Sequence, residues 1–423
     1  MSFGNIIQHF RRRILQPSPS PSLSQILFFQ PSPLLSRSYT NSTSSLLSSQ
    51  LSLQLSSKQY IKTFIVSGLL FGISLILYEN STSRRINKAV QKGTLPKLYI
   101  SRNQYYPRPQ VLEQLKKIFT PQKYSRPFYI IYGKDGIEKS TLIKMASREV
   151  GQGVIYVDIP LSSDNCYFGR EFAKAMNIDI SWLSDDDDKE QWKKALSAFE
   201  KAAKVYKAKY GRPLVIIYDN VDRLIPRNTD ILDKLQSSVT ESSNKGKYIA
   251  VFVSSEYSVL QRMRSRGHWT DMDFFEIGDL TEEESIGYLV DKKDIKEEEA
   301  KKIYEFAGGC LNDLDVMTNY LFFGKSFEDA KLMIKTEVED KFGRAELLPG
   351  GKYYEVGRKI INALLNSKEI CFSELWKFSN FSESDNKFLN LNLFEYHPKT
   401  HKITLQSKSI ECYLRENANK FIN

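Results

Sequence analysis

At 423 residues, with 41% hydrophobic and 26% charged side chains, the chain is long enough for two or three folded units and too apolar to be disordered throughout. Its net charge of +10 is not a nucleic-acid footprint, because half of the excess lies in residues 1–80, where four Arg and two Lys face the single carboxylate Glu79. The four cysteines, Cys166, Cys310, Cys371 and Cys412, include no CxxC pair, which argues against a disulfide framework or a zinc site and favours a reducing compartment.

From Met1 to Tyr78 there is no Asp or Glu, while Arg11, Arg12, Arg13 and Arg37 punctuate a stretch rich in Ser, Leu and Pro. Acid-poor, arginine-bearing segments respond to a negative-inside potential, so this composition predicts a mitochondrial transit peptide over 1–39, with a disordered tail as the plainer alternative. Arg37-Ser38-Tyr39-Thr40 resembles a processing site. A disordered linker is expected over 40–60. The run Thr63 to Tyr78 then carries no charge, and Arg84, Arg85, Lys88 and Lys92 follow it. A helix of this length spans about 24 Å, slightly under the ~30 Å hydrocarbon core. With Lys62 snorkelling and Tyr60 and Tyr78 as interfacial anchors, the reading is a single-pass transmembrane helix over 61–79 in the mitochondrial inner membrane. A buried or signal-like apolar segment is the competing reading.

After a linker over 80–100, a strand Phe128 to Tyr132 runs into Gly133-Lys134-Asp135-Gly136-Ile137-Glu138-Lys139-Ser140-Thr141, and a helix is predicted from Ser140 to Val150. Strand, glycine-bearing loop, helix is the context of a phosphate-binding Walker A loop. Its backbone N–H groups curl around phosphate oxygens, a lysine reaches the β/γ phosphates, and a Ser or Thr binds magnesium. Gly133, Gly136, Lys139 and Ser140 stand where that chemistry wants them. Glu138 departs from the pattern, since glycine normally precedes the lysine. A carboxylate about 6 Å from a phosphate charge, at an effective dielectric near 20, costs roughly 3 kcal/mol.

The second half of the site is expected in Leu214-Val215-Ile216-Ile217-Tyr218-Asp219-Asn220-Val221-Asp222. A continuous Val/Ile run reads as a buried parallel strand, which places Asp219 at the carboxyl end, where such sheets bind ligands. Asp219 is the candidate Walker B acid, sharing magnesium with Ser140. Asn220 occupies the position of a second acid; it can orient water but cannot take its proton. Asp222 is the candidate substitute. A strand-end Asp-Asn turn is the plain alternative. Gly153 to Asp158 reads as another buried strand, Lys189 to Lys209 as an amphipathic helix, and Tyr248 to Val253 as a strand ending at Ser254-Ser255. Alternating strands and helices predict an α/β fold with a doubly wound parallel sheet. Ser254 or Ser255 is then a candidate γ-phosphate sensor, with a simple strand-end cap as the alternative. Of Arg262, Arg264 and Arg266, Arg264 is the candidate for charge compensation at a subunit or domain interface, against a solvated basic helix face.

With these elements in order, residues Arg102 to Asn319 resemble the STAND branch of AAA+ P-loop NTPases, close to the archaeal-type ATPase family. The lead Tyr106 to Leu115 resembles the segment that touches adenine in that family. Phe275-Glu276-Ile277-Gly278-Asp279-Leu280-Thr281 resembles the passage to a helical lid, with Thr281 and Glu284 as a capping box. Ala307-Gly308-Gly309-Cys310-Leu311 resembles the lid's glycine-rich turn, without its usual proline. The resemblance implies a P-loop NTPase core over 101–278, a helical lid over 279–345 and a winged-helix domain over 350–423. It also implies ATP and Mg2+ as cofactors.

In the last module, helices are expected over Val356 to Leu365, around Phe372 to Phe378 and ending near Leu391. A strand pair is expected across His397 to His401, which makes both histidines exposed turn residues. Residues 352–423 carry eleven Lys/Arg against eight Asp/Glu, too small a surplus for a phosphate-binding face, so protein partners fit the lid and winged helix better than nucleic acid. The expected function is a membrane-anchored, ATP-binding switch or scaffold with weak hydrolysis, compatible with an oligomer. The alternatives are a pseudo-NTPase interaction scaffold without turnover and a mitochondrial nucleic-acid-binding protein.

Overall fold

The computed structural model describes residues 43–98, 106–122, 125–161, 165–178, 191–226, 228–243, 246–267, 272–377 and 392–421. The chain forms two compact units, Met1–Thr82 and Ser83–Asn423. The expected transit peptide and the helix expected to end near Leu391 lie outside the described residues.

The first described helix is α1 (Thr43–Lys92). Its Phe64–Lys92 stretch is long and apolar enough, by length and composition, to cross a membrane. Phe64, Leu69, Leu70, Ile73, Ile76 and Leu77 are all exposed. Helix also occupies residues 43–60 and 80–92, where the sequence reading expects linkers. At the carboxyl end the reason is burial: Ile86 and Val90, one turn apart, are packed in the core of the second unit.

The second unit opens with α2 (Pro109–Phe119), which has proline at its start, where the missing N–H costs nothing, and buries Leu115 and Phe119. Five strands follow: β1 (Phe128–Tyr132), β2 (Val154–Asp158), β3 (Leu214–Asp219), β4 (Tyr248–Ser254) and β5 (Met272–Glu276). Between them lie α3 (Lys139–Val150), α4 (Asn165–Ala175), α5 (Gln191–Tyr210), α6 (Thr229–Ser243) and α7 (Tyr257–Ser265). The sheet order is β2-β3-β4-β1-β5 and every pairing is parallel. Alternate strand residues serve opposite faces: Ile130, Ile216, Tyr218 and Phe252 join one apolar cluster, and Ile131, Val215, Ile217 and Val251 join the other. Burial on both faces explains why β3 and β4 are continuous apolar runs. The register aligns the carboxyl ends, pairing Asp158 with Asp219 and setting Tyr132 beside both Ser254 and Glu276.

Four helices come next: α8 (Glu282–Lys293), α9 (Glu297–Ala307), α10 (Leu311–Phe322) and α11 (Phe327–Arg344). α8 starts in the expected capping box of Thr281 and Glu284, and α11 starts in a second one, Ser326 with Asp329. The chain finishes with α12 (Tyr354–Ser367), β6 (Glu369–Cys371), a 3-10 helix Phe372–Lys377, β7 (Phe394–His397), β8 (Lys402–Leu405), α13 (Lys408–Glu416) and the short α14 (Ala418–Phe421). β6, β8 and β7 form a separate antiparallel sheet in that order. One apolar cluster runs from the parallel sheet through Leu314 and Phe342 to Ile403 and Leu414, so the core, the four helices and the terminal module share a continuous interior.

Candidate functional site

The loop after β1 turns sharply because its sequence permits it. Gly136 has φ +81°, and at Gly133 a Cβ would come within 2.3 Å of the Ile277 carbonyl oxygen and 2.5 Å of Ile137 Cδ1. Glu138 caps α3 with φ 63° and ψ 26°, a left-handed conformation that favours glycine and that a glutamate adopts at a cost of about 1 kcal/mol. Its carboxylate accepts a hydrogen bond from Thr141 Oγ1, so the side chain folds back over the first turn of α3.

Asp135, Gly136, Glu138, Lys139, Ser140 and Thr141 line one cavity of about 240 Å³ together with Asp219, Asn220, Asp222 and Val253 to Ser255. Lys139 is buried, which lowers its affinity for a proton; the carboxylates of Asp135, Asp219 and Asp222 oppose that effect. Its Nζ donates to the Lys134 carbonyl at 2.7 Å. Asp219 is fully buried, and burial pushes its carboxyl above the usual aspartate value. Hydrogen bonds from Tyr156 and Ser140 pull in the other direction. Tyr156 Oη donates to Asp219 Oδ2 at 2.5 Å and the Asn220 N–H donates to Oδ1 at 2.9 Å. Ser254 is buried at the end of β4 and its hydroxyl donates to Asp222 Oδ1 at 3.3 Å. Asp135, Gly136, Glu138 to Thr141, Asp219, Asn220, Asp222 and Ser254 are thus brought to one cavity, which Gly133, Lys134 and Ile137 do not line.

Two of the expected site residues make further contacts. Asn220, in left-handed conformation, donates one N–H of its side-chain amide to Asp158 Oδ1 at 2.8 Å, which ties it to the end of β2. Arg223 also reaches Asp158, at 3.3 Å, which makes this aspartate the hub of the β2 end. Arg264 does not line the cavity. It donates to Tyr396 Oη at 2.9 Å and lies 2.7 Å from His401 Nδ1, and so faces the β7–β8 hairpin. Its neighbours Arg262 and Arg266 both pair with Asp233.

Lys134, within the loop, points away from Lys139. Its Nζ contacts Asp279 Oδ2 at 2.6 Å, Glu395 Oε2 at 3.5 Å and the Gln406 carbonyl. Burial opposes its charge, but Glu395 and Asp279 more than offset that and hold the lysine above its ordinary value. His397 is half-buried at the end of β7 rather than an exposed turn residue, and its Nδ1 lies 2.5 Å from Glu276 Oε1. His401 does occupy the exposed turn. Arg108 is buried, donating to the carbonyls of Gly278 and Asp279 at 3.0 Å and pairing with Glu284, so the lead segment is pinned to the start of α8.

Tyr156, Asp158 and Arg108 are absent from the sequence-derived site. Asp158 follows the same rule as Asp219, an acid ending a buried strand, and could have been found by it. Tyr156 reads as an ordinary core residue of a strand.

Residues 105–316 match the family described as the ATPase domain predominantly from Archaea. No curated protein matches the chain in sequence. Among solved structures, a Walker-type ATPase of Pyrococcus abyssi is similar over 74% of this chain and 97% of its own, at 13% identity and a TM-score of 0.49. Cdc6p from Pyrobaculum aerophilum is similar over 80% of this chain and 99% of its own, at 13% identity and a TM-score of 0.37. The ORC1 protein of Aeropyrum pernix, solved in complex with DNA, is similar over 78% and 96% respectively, at 12% identity and a TM-score of 0.38.

Proposed function

Since this chain belongs to the ATPase-domain family found predominantly in Archaea and is a nucleotide-binding P-loop NTPase, we propose that it is an ATP-dependent switch anchored in the mitochondrial inner membrane. The observation that carries the switch reading is the convergence of Lys139, Ser140, Asp219 and Ser254 on one cavity at the carboxyl edge of the sheet.

The residues fit a nucleotide and its magnesium. Gly133 lets the loop pack against the Ile277 carbonyl and Ile137, the amino end of α3 aims backbone N–H groups at the cavity, and the Ser140 hydroxyl already reaches the Asp219 carboxylate. Lys139 would bind the β and γ phosphates, and Ser140 and Asp219 would hold Mg2+, which neutralises charge on the phosphates. Ser254 holds Asp222, the carboxylate on this wall suited to orient water in place of Asn220. The membrane anchor rests on the exposed apolar face of α1, and the mitochondrial address on the acid-poor, arginine-bearing amino terminus. In this reading α8 to α11 form the lid, and α12 with the β6-β8-β7 sheet and α13 forms a winged-helix module. The test is binding of Mg-ATP to the full chain in detergent, compared with Lys139→Ala. Absence of binding by the parent protein would defeat the switch.

A scaffold without turnover is the second reading, favoured by the left-handed Glu138 and the engaged Asn220 amide. It expects no ATP hydrolysis above background, and no loss of partner binding in Lys139→Ala.

A further inference from the structure

Polyphosphate sites in proteins are usually rich in positive charge, and the wall of this cavity is not. Asp135, Glu138, Asp219 and Asp222 line it, and Lys139 is the lysine that faces them. The loop's other lysine does not line it: Lys134 is buried in contact with Asp279, Glu395 and the Gln406 carbonyl. Glu138 cannot easily leave, because its left-handed backbone is fixed by the start of α3 and its carboxylate is held by Thr141 Oγ1.

Resting on the nucleotide-binding reading above, we propose that Glu138 makes this site selective for the metal complex of a nucleoside polyphosphate and closes it to the free anion. ATP without metal carries about four negative charges at neutral pH, and its magnesium complex about two. One carboxylate about 6 Å from one phosphate charge, at an effective dielectric near 20, corresponds to roughly a hundredfold in affinity. Halving the ligand's charge therefore changes its tolerance of this wall by at least that factor. Glycine at position 138 would carry neither the charge nor the strain, so the departure from the usual loop adds to a wall that already holds Asp135, Asp219 and Asp222.

The experiment is calorimetric titration of the full chain in detergent with ATP, once in millimolar Mg2+ and once in EDTA. Glu138→Gln is run alongside to remove the charge while keeping the side chain, and Glu138→Gly to remove both charge and strain. The parent protein is expected to bind Mg-ATP at least about a hundredfold more tightly than metal-free ATP. Glu138→Gln should narrow that ratio about tenfold or more, chiefly by improving metal-free binding. A ratio near unity in the parent, or an unchanged ratio in Glu138→Gln, overturns the selectivity while leaving the nucleotide site standing. Binding of neither form by the parent overturns both readings together, a result distinguishable from either of the others.

Discussion

Tyr156 on β2 donates its hydroxyl to Asp219 on β3 across 2.5 Å of buried space, next to the Ser140 hydroxyl. The tyrosine thereby holds one oxygen of the acid that the site depends on, and it favours the charged form against the burial that opposes it. Removing the hydroxyl in Tyr156→Phe is expected to raise the Asp219 value further. Metal binding needs the carboxylate, so the pH midpoint of Mg-ATP binding should move upward, and the fold should lose about 1–3 kcal/mol. Binding titrations across pH 5 to 9 and denaturant melts check the two parts; an unmoved midpoint would assign Tyr156 to packing alone.

Gly133→Ala places a methyl group where the Ile277 carbonyl oxygen and the Ile137 side chain already stand. Backbone cannot yield as a flexible side chain can, so the expected cost is about 1–3 kcal/mol of stability, together with loss of nucleotide affinity. A denaturation midpoint equal to that of the parent would contradict the crowding.

Lys134 ties the nucleotide loop to residues far along the chain, at Asp279, Glu395 and Gln406. Lys134→Met leaves the buried Glu395 without its cation and is expected to cost roughly 3–5 kcal/mol. Converting both partners, Lys134→Met with Glu395→Met, should recover part of that loss, because only the more exposed Asp279 is then left without its cation. Additive losses in the double-mutant cycle would show that the two residues do not interact.

His397 gives the terminal hairpin a pH signature. Burial disfavours its charge, while the hydrogen bond and the charge of Glu276, helped by Glu395 and opposed by Lys134, raise it above the ordinary histidine value. A raised value means that its stabilisation is fully present below about pH 6.5, the unfolded value, and is lost as pH rises through the higher folded value. The melting temperature of the parent should therefore fall relative to His397→Gln as pH climbs above 6.5. Parallel profiles would remove His397 from the account.

The parts of the site carried by contiguous sequence were legible, and the parts carried by tertiary contact were not. Phe128 to Tyr132 and Leu214 to Asp219 read as strands because both faces of the sheet are covered, which turns each strand into an unbroken apolar run. Gly133, Lys139 and Asp219 followed from where those runs stop. Nothing local marks Tyr156 as a partner of Asp219, since a tyrosine in a strand is equally at home in a core. For Arg264 the sequence leaves open an interface or a solvated helix face, and the β7–β8 hairpin that it meets lies more than a hundred residues later in the chain. The same distance in sequence hid the burial of Lys134. Helix over 80–92 was missed because its apolar stripe there is only Ile86 and Val90, set among charges that mimic a linker.

The most direct test of the central claim is the thermal shift of the full chain in detergent with Mg-ATP, run beside Lys139→Ala. A ligand at a hundredfold excess over its dissociation constant adds about 2.7 kcal/mol to folding stability. The account predicts an upward shift of several degrees in the parent that vanishes in Lys139→Ala; no shift in the parent at millimolar Mg-ATP would contradict it.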